Sequence, residues 1–425
     1  MDKATVFCGL LGLAAALPAL DAALRLRRLT RGRGAPGRGA RPARVLVLVP
    51  ARAEGARIGD IAADVRREAR TAGAAMTVDL RVLLDGPDPE AAARLEKDGV
   101  LYLSKKSPGP TKGYALAFLA EQIGSQLDDF DFILVFDADM RLPEGFFRDL
   151  AVPEGTEVFQ LPVRPAGIPA SGAPRVEALS LAQAAEDDLA RDAEGLPVRL
   201  RGKAMGFSPR AFRLGPAAAT RTTVEDSEAT LALLATGLTV RALSGPFAFD
   251  EPPADAGAMA RSRSRWFGGQ SKLLFTNLGD LLRIAAKSPK GAFVLACDLW
   301  LRPRLLMLLA LAILAAVSDA AMLFFASNGT WTAAARAGGG AAAAGSTQAW
   351  PIALLVFLLL LSFEAKATLV LEWLSIAALR RRLGYPTEVP PVSFSDIRGS
   401  LVMWIGAVFR GATAPSRWHR ARPPA

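Results

Sequence analysis

The chain has 425 residues, 51 % of them apolar, and carries a formal charge of +10. Its two cysteines, Cys8 and Cys297, lie in or beside apolar segments, which excludes a disulfide framework and a cysteine metal site. The single histidine, His419, sits in a basic tail, so histidine triads are excluded and proton transfer falls to carboxylates.

In chain order, residues 1–24 read as an N-terminal transmembrane anchor, because 5–24 is almost wholly apolar and about the length of a bilayer span. Positive charge follows the apolar run instead of preceding it, which favours a signal anchor over a cleaved signal peptide and places the following side in the cytoplasm. Residues 25–44 form a basic Gly/Pro/Arg linker with eight arginines and no interleaved aromatics, suited to a membrane surface and not to nucleic acid.

From Val45 a domain over 45–275 begins. Apolar runs at 45–50, 78–84, 100–103 and 132–136 alternate with helical stretches at 58–71, 89–97 and 112–126. This alternation predicts an α/β fold with a mainly parallel, helix-covered sheet, whose ligands bind beyond the carboxyl ends of the strands. Asp85 and Asp137 fall at two such ends. In "FILVFDADM", Asp137 and Asp139 lie two apart on a chain expected to be extended, with a helix start expected behind them. Their side chains then lean to one face and suit Mg²⁺ or Mn²⁺ holding phosphates, although a polar strand end entering a turn fits the same residues.

Residues 276–304 read as interfacial, 305–326 and 350–376 as transmembrane helices, and 327–349 as a Gly/Ala-rich outside loop. The remainder, 377–425, is a cytoplasmic basic tail whose apolar run 401–409 is too short to span and reads as an interfacial helix. Asp319, Glu364 and Lys366 inside the spans fit either a substrate path or a pairing near the interface.

These motifs, in this order, resemble a membrane-bound family 2 glycosyltransferase of the GT-A fold (Rossmann-like), cellulose-synthase-like and exopolysaccharide-type. "VLVLVPARAEGARI" is similar to that family's first strand and turn, which implies nucleotide-sugar contacts for Pro50, Ala51 and Glu54; Ala53 replaces the usual Asn. "VLLDGPDPEAA" resembles the second strand and implies that Asp85 lies near uracil or ribose. "GPTKGYAL" resembles the turn that closes over the nucleotide, through Lys112 and Gly113, and "VFDADM" the metal-binding Asp-x-Asp. "GKAMGF" looks like the stretch lining the acceptor side. "TTVEDSEATLALLATG" resembles the Thr-Glu-Asp segment, with Asp226 as general base beside Glu225. "SRSRWFGGQ" is similar to Gln-x-x-Arg-Trp, giving roles to Arg265 and Trp266; Ser262 in place of Gln argues against processive polymerisation.

Each motif alone also has a structural account. Asp85 fits a turn cap, Lys112 a charge in a helix's first turn, residues 225–228 the acids favoured at a helix's positive end, and 261–266 an interfacial basic helix. Taken together, the resemblance implies a nucleotide-sugar donor, UDP-linked before GDP-linked, with Mg²⁺ or Mn²⁺ on Asp139 and Asp137. It implies Arg265 against the leaving diphosphate, Trp266 against the acceptor sugar, and one displacement that inverts the anomeric centre. The few spans favour adding one or a few sugars to a lipid-linked or glycan acceptor at a bacterial cytoplasmic membrane, with the catalytic domain facing the cytoplasm. Partner subunits of a polysaccharide export system are also implied. The rival readings are a processive synthase subunit, a nucleotidyltransferase on a related sheet, and a non-catalytic scaffold.

Overall fold

A computed structural model describes residues 18–30, 39–74, 76–251, 256–300, 304–327, 358–360, 362–371, 374 and 393–413. The chain forms two compact units, one of Gly32–Leu299 with Pro390–Ala425, the other of Met1–Arg31 with Trp300–Val389.

The larger unit is built on β1 (Arg44–Ala51), whose residues 45–49 are all essentially buried. Its side chains alternate between two cores. Val45, Val47 and Val49 meet Ile61 and Val65 of α2 (Ile58–Thr71), while Leu46 and Leu48 meet Leu116 and Leu119 of α4 (Lys112–Ile123) on the opposite face. A strand covered on both sides has no polar alternation, which is why this run reads as continuous Val and Leu. β1 pairs in parallel with β2 (Thr77–Leu84), and β2 with β3 (Tyr102–Ser104), which follows α3 (Pro89–Lys97). On its other edge β1 pairs in parallel with β4 (Phe132–Val135).

After β4 and the short β5 (Met140–Arg141), the sheet continues with β6 (Val158–Gln160), while β7 (Val163–Pro165) leads on to the long helix α5 (Gly172–Ala193). Next come β8 (Met205–Phe207), α6 (Pro209–Leu214), α7 (Glu225–Thr236), β9 (Val240–Ala242) and β10 (Ala248–Asp250). The main sheet has seven strands in the order β9–β6–β8–β4–β1–β2–β3. Only β8 runs antiparallel to its neighbours, so the sheet is mixed and rich in parallel pairs. A small second sheet joins β5, β10 and β7. Helices α8 (Ala256–Thr276), α9 (Leu278–Lys287) and α10 (Pro289–Trp300) come after β10, and α9 and α10 share an apolar cluster with α7 through Leu231, Leu281, Ile284 and Leu295.

Several expectations are corrected. The helix expected over 112–126 ends at Ile123, because Gly124 takes a left-handed φ of 59° and a 3-10 turn begins there. β4 stops at Val135, so Asp137 and Asp139 lie on a turn closed by the Met140 N–H on the Asp137 carbonyl (3.2 Å), not on an extended strand. No helix stands behind them: 144–149 is a set of turns, and the Glu68 carboxylate of α2 accepts from the N–H groups of Gly145 (2.6 Å) and Phe146 (3.1 Å). The run 401–409 belongs to a 20-residue helix that begins earlier and ends later, Phe394–Thr413.

In the smaller unit, residues 18–30 form α1, so this helix runs six residues beyond Leu24 into the expected linker. Arg25 is buried there and bonds Asp21 one turn back (2.9 Å). Helix α11 (Arg304–Ser327) holds a window, Met307–Phe324, of mean hydropathy 2.3, long and apolar enough to cross a membrane. Among the described residues it is the single such helix. Asp319 of α11 accepts hydrogen bonds from Ser362 (2.7 Å) and Lys366 (3.0 Å) of a helical stretch over 358–371. The remainder of the expected 350–376 span, the 327–349 loop and residues 1–17 fall almost wholly outside the described residues. The final helix, Phe394–Thr413, is α12 and belongs to the larger unit.

Candidate functional site

The site forms beyond the carboxyl ends of β1, β2 and β4. Pro50 and Ala51 close β1, and the Ala51 carbonyl accepts the N–H of Asp85 (2.8 Å), which holds the two strand ends level. Glu54 lies at the start of the following 3-10 turn. The Asp85 side chain is fully buried and heavily engaged. It accepts from Arg52 Nε (3.1 Å), Lys105 Nζ (2.9 Å) and Gly109 N–H (3.0 Å). Arg52 also reaches the Gly109 carbonyl. Asp85 therefore ties the loop before α4 to the sheet; the partners Arg52 and Lys105 were missed in the sequence because only the fold brings them together.

Lys112 opens α4 and points into the site. Its Nζ forms an ion pair with Asp137 and donates to the Gly202 carbonyl (2.5 Å). Gly113 is next because α4 lies hard against the 219 backbone: a Cβ there would stand 1.7 Å from the Ala219 carbonyl oxygen. Across from Lys112, α7 begins at Glu225, so Glu225 and Asp226 sit at its positive end. Asp226 Oδ1 accepts the Ser227 N–H (2.7 Å), and its carboxylate lies beside Gly202. Helix α8 contributes Arg265. It crosses the start of α7 closely at Gly269, where a Cβ would be 2.7 Å from Thr223 Oγ1; that hydroxyl donates to the Arg265 carbonyl (3.2 Å).

The charges form one group. Burial acts to raise the Asp137 carboxyl although 34 % of its side chain faces solvent, but Lys112, Lys203 and Arg265 outweigh it and hold the carboxyl below its ordinary range. Burial draws the Arg265 guanidinium down, opposed by Glu225, Asp137 and Asp226. Lys203, a cation of the "GKAMGF" segment with no role assigned from sequence, resists burial through Asp250, Asp139 and Asp137 and is shifted upward; it forms an ion pair with Asp250. Glu225 is pushed up to about 7, by burial first and by neighbouring Asp226, against the pull of Lys112 and Arg265. Five carboxylates, Asp137, Asp139, Asp250, Glu225 and Asp226, thus interact with three cations, Lys112, Lys203 and Arg265. That balance is suited to a polyanion that brings its own negative charge and some positive charge with it.

Among the described residues no three His, Cys, Asp or Glu side chains gather as a metal cage. Asp137 and Asp139 supply two hard oxygen donors from one turn, and a divalent cation bound through one or two carboxylates completes its shell with phosphate oxygens and water. The donor set fits Mg²⁺ or Mn²⁺ held jointly with a substrate's phosphates.

Trp266 is placed differently from the rest. It packs against the apolar cluster of α7, α9 and α10, and the Arg263 guanidinium lies 4.0 Å from its ring centre.

The architecture is a mixed α/β domain whose charged residues gather at its strand ends. No family model and no curated protein matches the chain. Solved structures similar to it are nucleotide-sugar glycosyltransferases. One is a mannosyltransferase from Pyrobaculum calidifontis in complex with GDP-Man and Mn²⁺, at 14 % identity and a TM-score of 0.48, covering 90 % of this chain and 98 % of that one. Another is glucosyl-3-phosphoglycerate synthase from Mycobacterium tuberculosis with Mg²⁺ and UDP, at 15 % identity and a TM-score of 0.36, covering 59 % and 82 %. A third is mannosyl-3-phosphoglycerate synthase from Rubrobacter xylanophilus, at 14 % identity and a TM-score of 0.36, covering 59 % and 77 %.

Proposed function

We propose that the chain is an inverting glycosyltransferase of the family 2 type that moves a sugar from a nucleotide-sugar donor to an acceptor at a membrane surface. The observation that carries this reading is the meeting of Asp137, Asp139, Lys112, Lys203 and Arg265 opposite Glu225 and Asp226 at the carboxyl ends of the strands. A nucleotide sugar needs its diphosphate neutralised on departure and its acceptor hydroxyl deprotonated, and this group holds residues for both.

Asp139, assisted by Asp137, would hold Mg²⁺ or Mn²⁺, which supplies Lewis-acid charge to the diphosphate when bound. Lys112 orients Asp137 and fixes the start of α4 beside the nucleotide. Arg265 adds a permanent positive charge on the leaving side. Asp226 accepts the proton from the acceptor hydroxyl at its carboxylate, on the face opposite the leaving group. Glu225, its neighbour in the chain, has its carboxyl pushed up to about 7 by burial, which limits the negative charge presented to the donor. Asp85, already committed to Arg52 and Lys105, shapes the nucleotide's floor by holding the 105–112 loop.

The apolar helix α11 and the basic stretches suit a membrane setting; a lipid-linked or glycan acceptor and work in cell-envelope or exopolysaccharide synthesis by single additions belong to the same proposal. Detergent-solubilised protein supplied with Mn²⁺ or Mg²⁺ and a set of UDP- and GDP-sugars should release nucleoside diphosphate. Release should stop with chelator, return with added metal, and be absent in Asp139→Ala. Pyrophosphate as the released product would replace this reading with nucleotidyl transfer.

A further inference from the structure

Side chains from three helices meet at Arg263, two residues before Arg265. The Arg263 guanidinium, on α8, lies 4.0 Å from the ring centre of Trp266 and 5.6 Å from that of Trp404 on α12. Both distances are within the range of cation–π attraction. Glu177 of α5 forms an ion pair with the same guanidinium. Arg263 is 5 % exposed, so its charge meets protein groups and not bulk water, although its Nε makes no hydrogen bond among the described residues.

Helix α12 is firmly seated where it makes this contact. Met403 is buried with Ala173 of α5 and with Met259 and Ala260 of α8. The Asp396 carboxylate accepts from the Gly172 N–H (2.5 Å) at the start of α5 and from the Ser393 N–H (2.9 Å). For packing alone, an apolar residue at 263 would serve with no buried charge to compensate. A planar guanidinium held by an indole on its own helix and another on α12 does something different: it resists rotation of α8 about its axis. Arg265 projects from the same turn of α8 towards Glu225, Asp137 and Asp226, so the rotation of α8 decides where its charge falls.

We propose that Trp404 is a positioning residue for transfer: through Arg263 it sets the rotation of α8 and so delivers Arg265 to the leaving diphosphate. The inference rests on the proposed glycosyl transfer, in which Arg265 meets the donor's terminal phosphate.

The test is calorimetric binding, with Mg²⁺ present, of UDP and GDP, and of UMP and GMP, to the full chain in detergent. Trp404→Leu should weaken binding of the preferred nucleoside diphosphate by about tenfold, the equivalent of one desolvated cation–π contact, and leave the monophosphate unchanged. Trp404→Phe should recover most of the loss. In an Arg265→Ala background, Trp404→Leu should add nothing, since the two act in series. Equal loss of mono- and diphosphate binding, or undiminished diphosphate binding by Trp404→Leu, would overturn the role while wild-type binding leaves the transfer reading standing. A wild-type chain that binds neither diphosphate would overturn the transfer reading itself and this role with it.

Discussion

Glu225 is the residue through which pH should act. Its carboxyl is ordinarily near 4.5 and is pushed up to about 7, chiefly by burial. Between those values the folded protein holds a proton that the unfolded chain has released. This contribution to stability is therefore full below about 4.5 and is lost as pH rises through about 7. Glu225→Gln should remove that dependence, raising the unfolding midpoint at pH 8 relative to wild type by an amount worth up to about 3 kcal/mol and changing little at pH 4. Thermal unfolding of both proteins at the two pH values checks this; parallel pH dependences would refute it. Asp226 plays a separate part. Asp226→Asn should lower turnover by about 10²–10⁴-fold while nucleoside diphosphate binding is retained, because the lost group acts on the acceptor hydroxyl. Near-normal turnover would remove it from the role of base.

At the scale of elements, close approach of backbones decides what can change. Alanine at 113 would gain roughly 0.8–1 kcal/mol of helix propensity over glycine. Its Cβ, however, would fall 1.7 Å from the Ala219 carbonyl oxygen, a contact with backbone that no rotamer relieves. Overpacking of this kind costs about 1–3 kcal/mol, so the clash wins. Gly113→Ala should unfold at lower denaturant and, by moving Lys112 away from Asp137, weaken donor binding; equal or greater stability would contradict this close packing of α4. The same scale shows what a reader of the sequence can see. The unbroken Val and Leu of β1 announce a strand covered on both faces, and α2 and α3 keep the bounds that their patterns and flanking residues suggest. A turn at Asp137–Asp139 was one of two readings, but the lack of a helix behind it was hidden, because the 144–149 turns are organised by Glu68, more than seventy positions earlier and on another helix. Helix α12 was foreshortened for a related reason. Its apolar run covers only 401–409, and the flanking residues are helical where α5 and α8 receive them. Lys203 and Arg263 read as ordinary surface cations until Asp250, Glu177 and two tryptophans are set around them.

At the scale of the whole molecule, the proposed catalytic residues and the apolar helix α11 fall in different compact units. The proposed membrane setting predicts that the full chain stays with the membrane pellet through an alkaline carbonate wash and enters solution with detergent; release by carbonate alone would overturn that setting. The larger unit is also discontinuous in the chain, because α12 is encoded after α11 and the 358–371 stretch. A ribosome thus delivers α5 and α8 well before the helix that covers Ala173, Met259 and Ala260, a lag on the order of ten seconds at usual elongation rates. During that lag the nascent domain carries a bare apolar seam and an α8 not yet held by Trp404. Chains released early by a stop codon or a stalled message would keep every proposed catalytic side chain yet lack that hold. Under the proposed transfer, completion of translation would then act as a checkpoint on it, set by gene order alone.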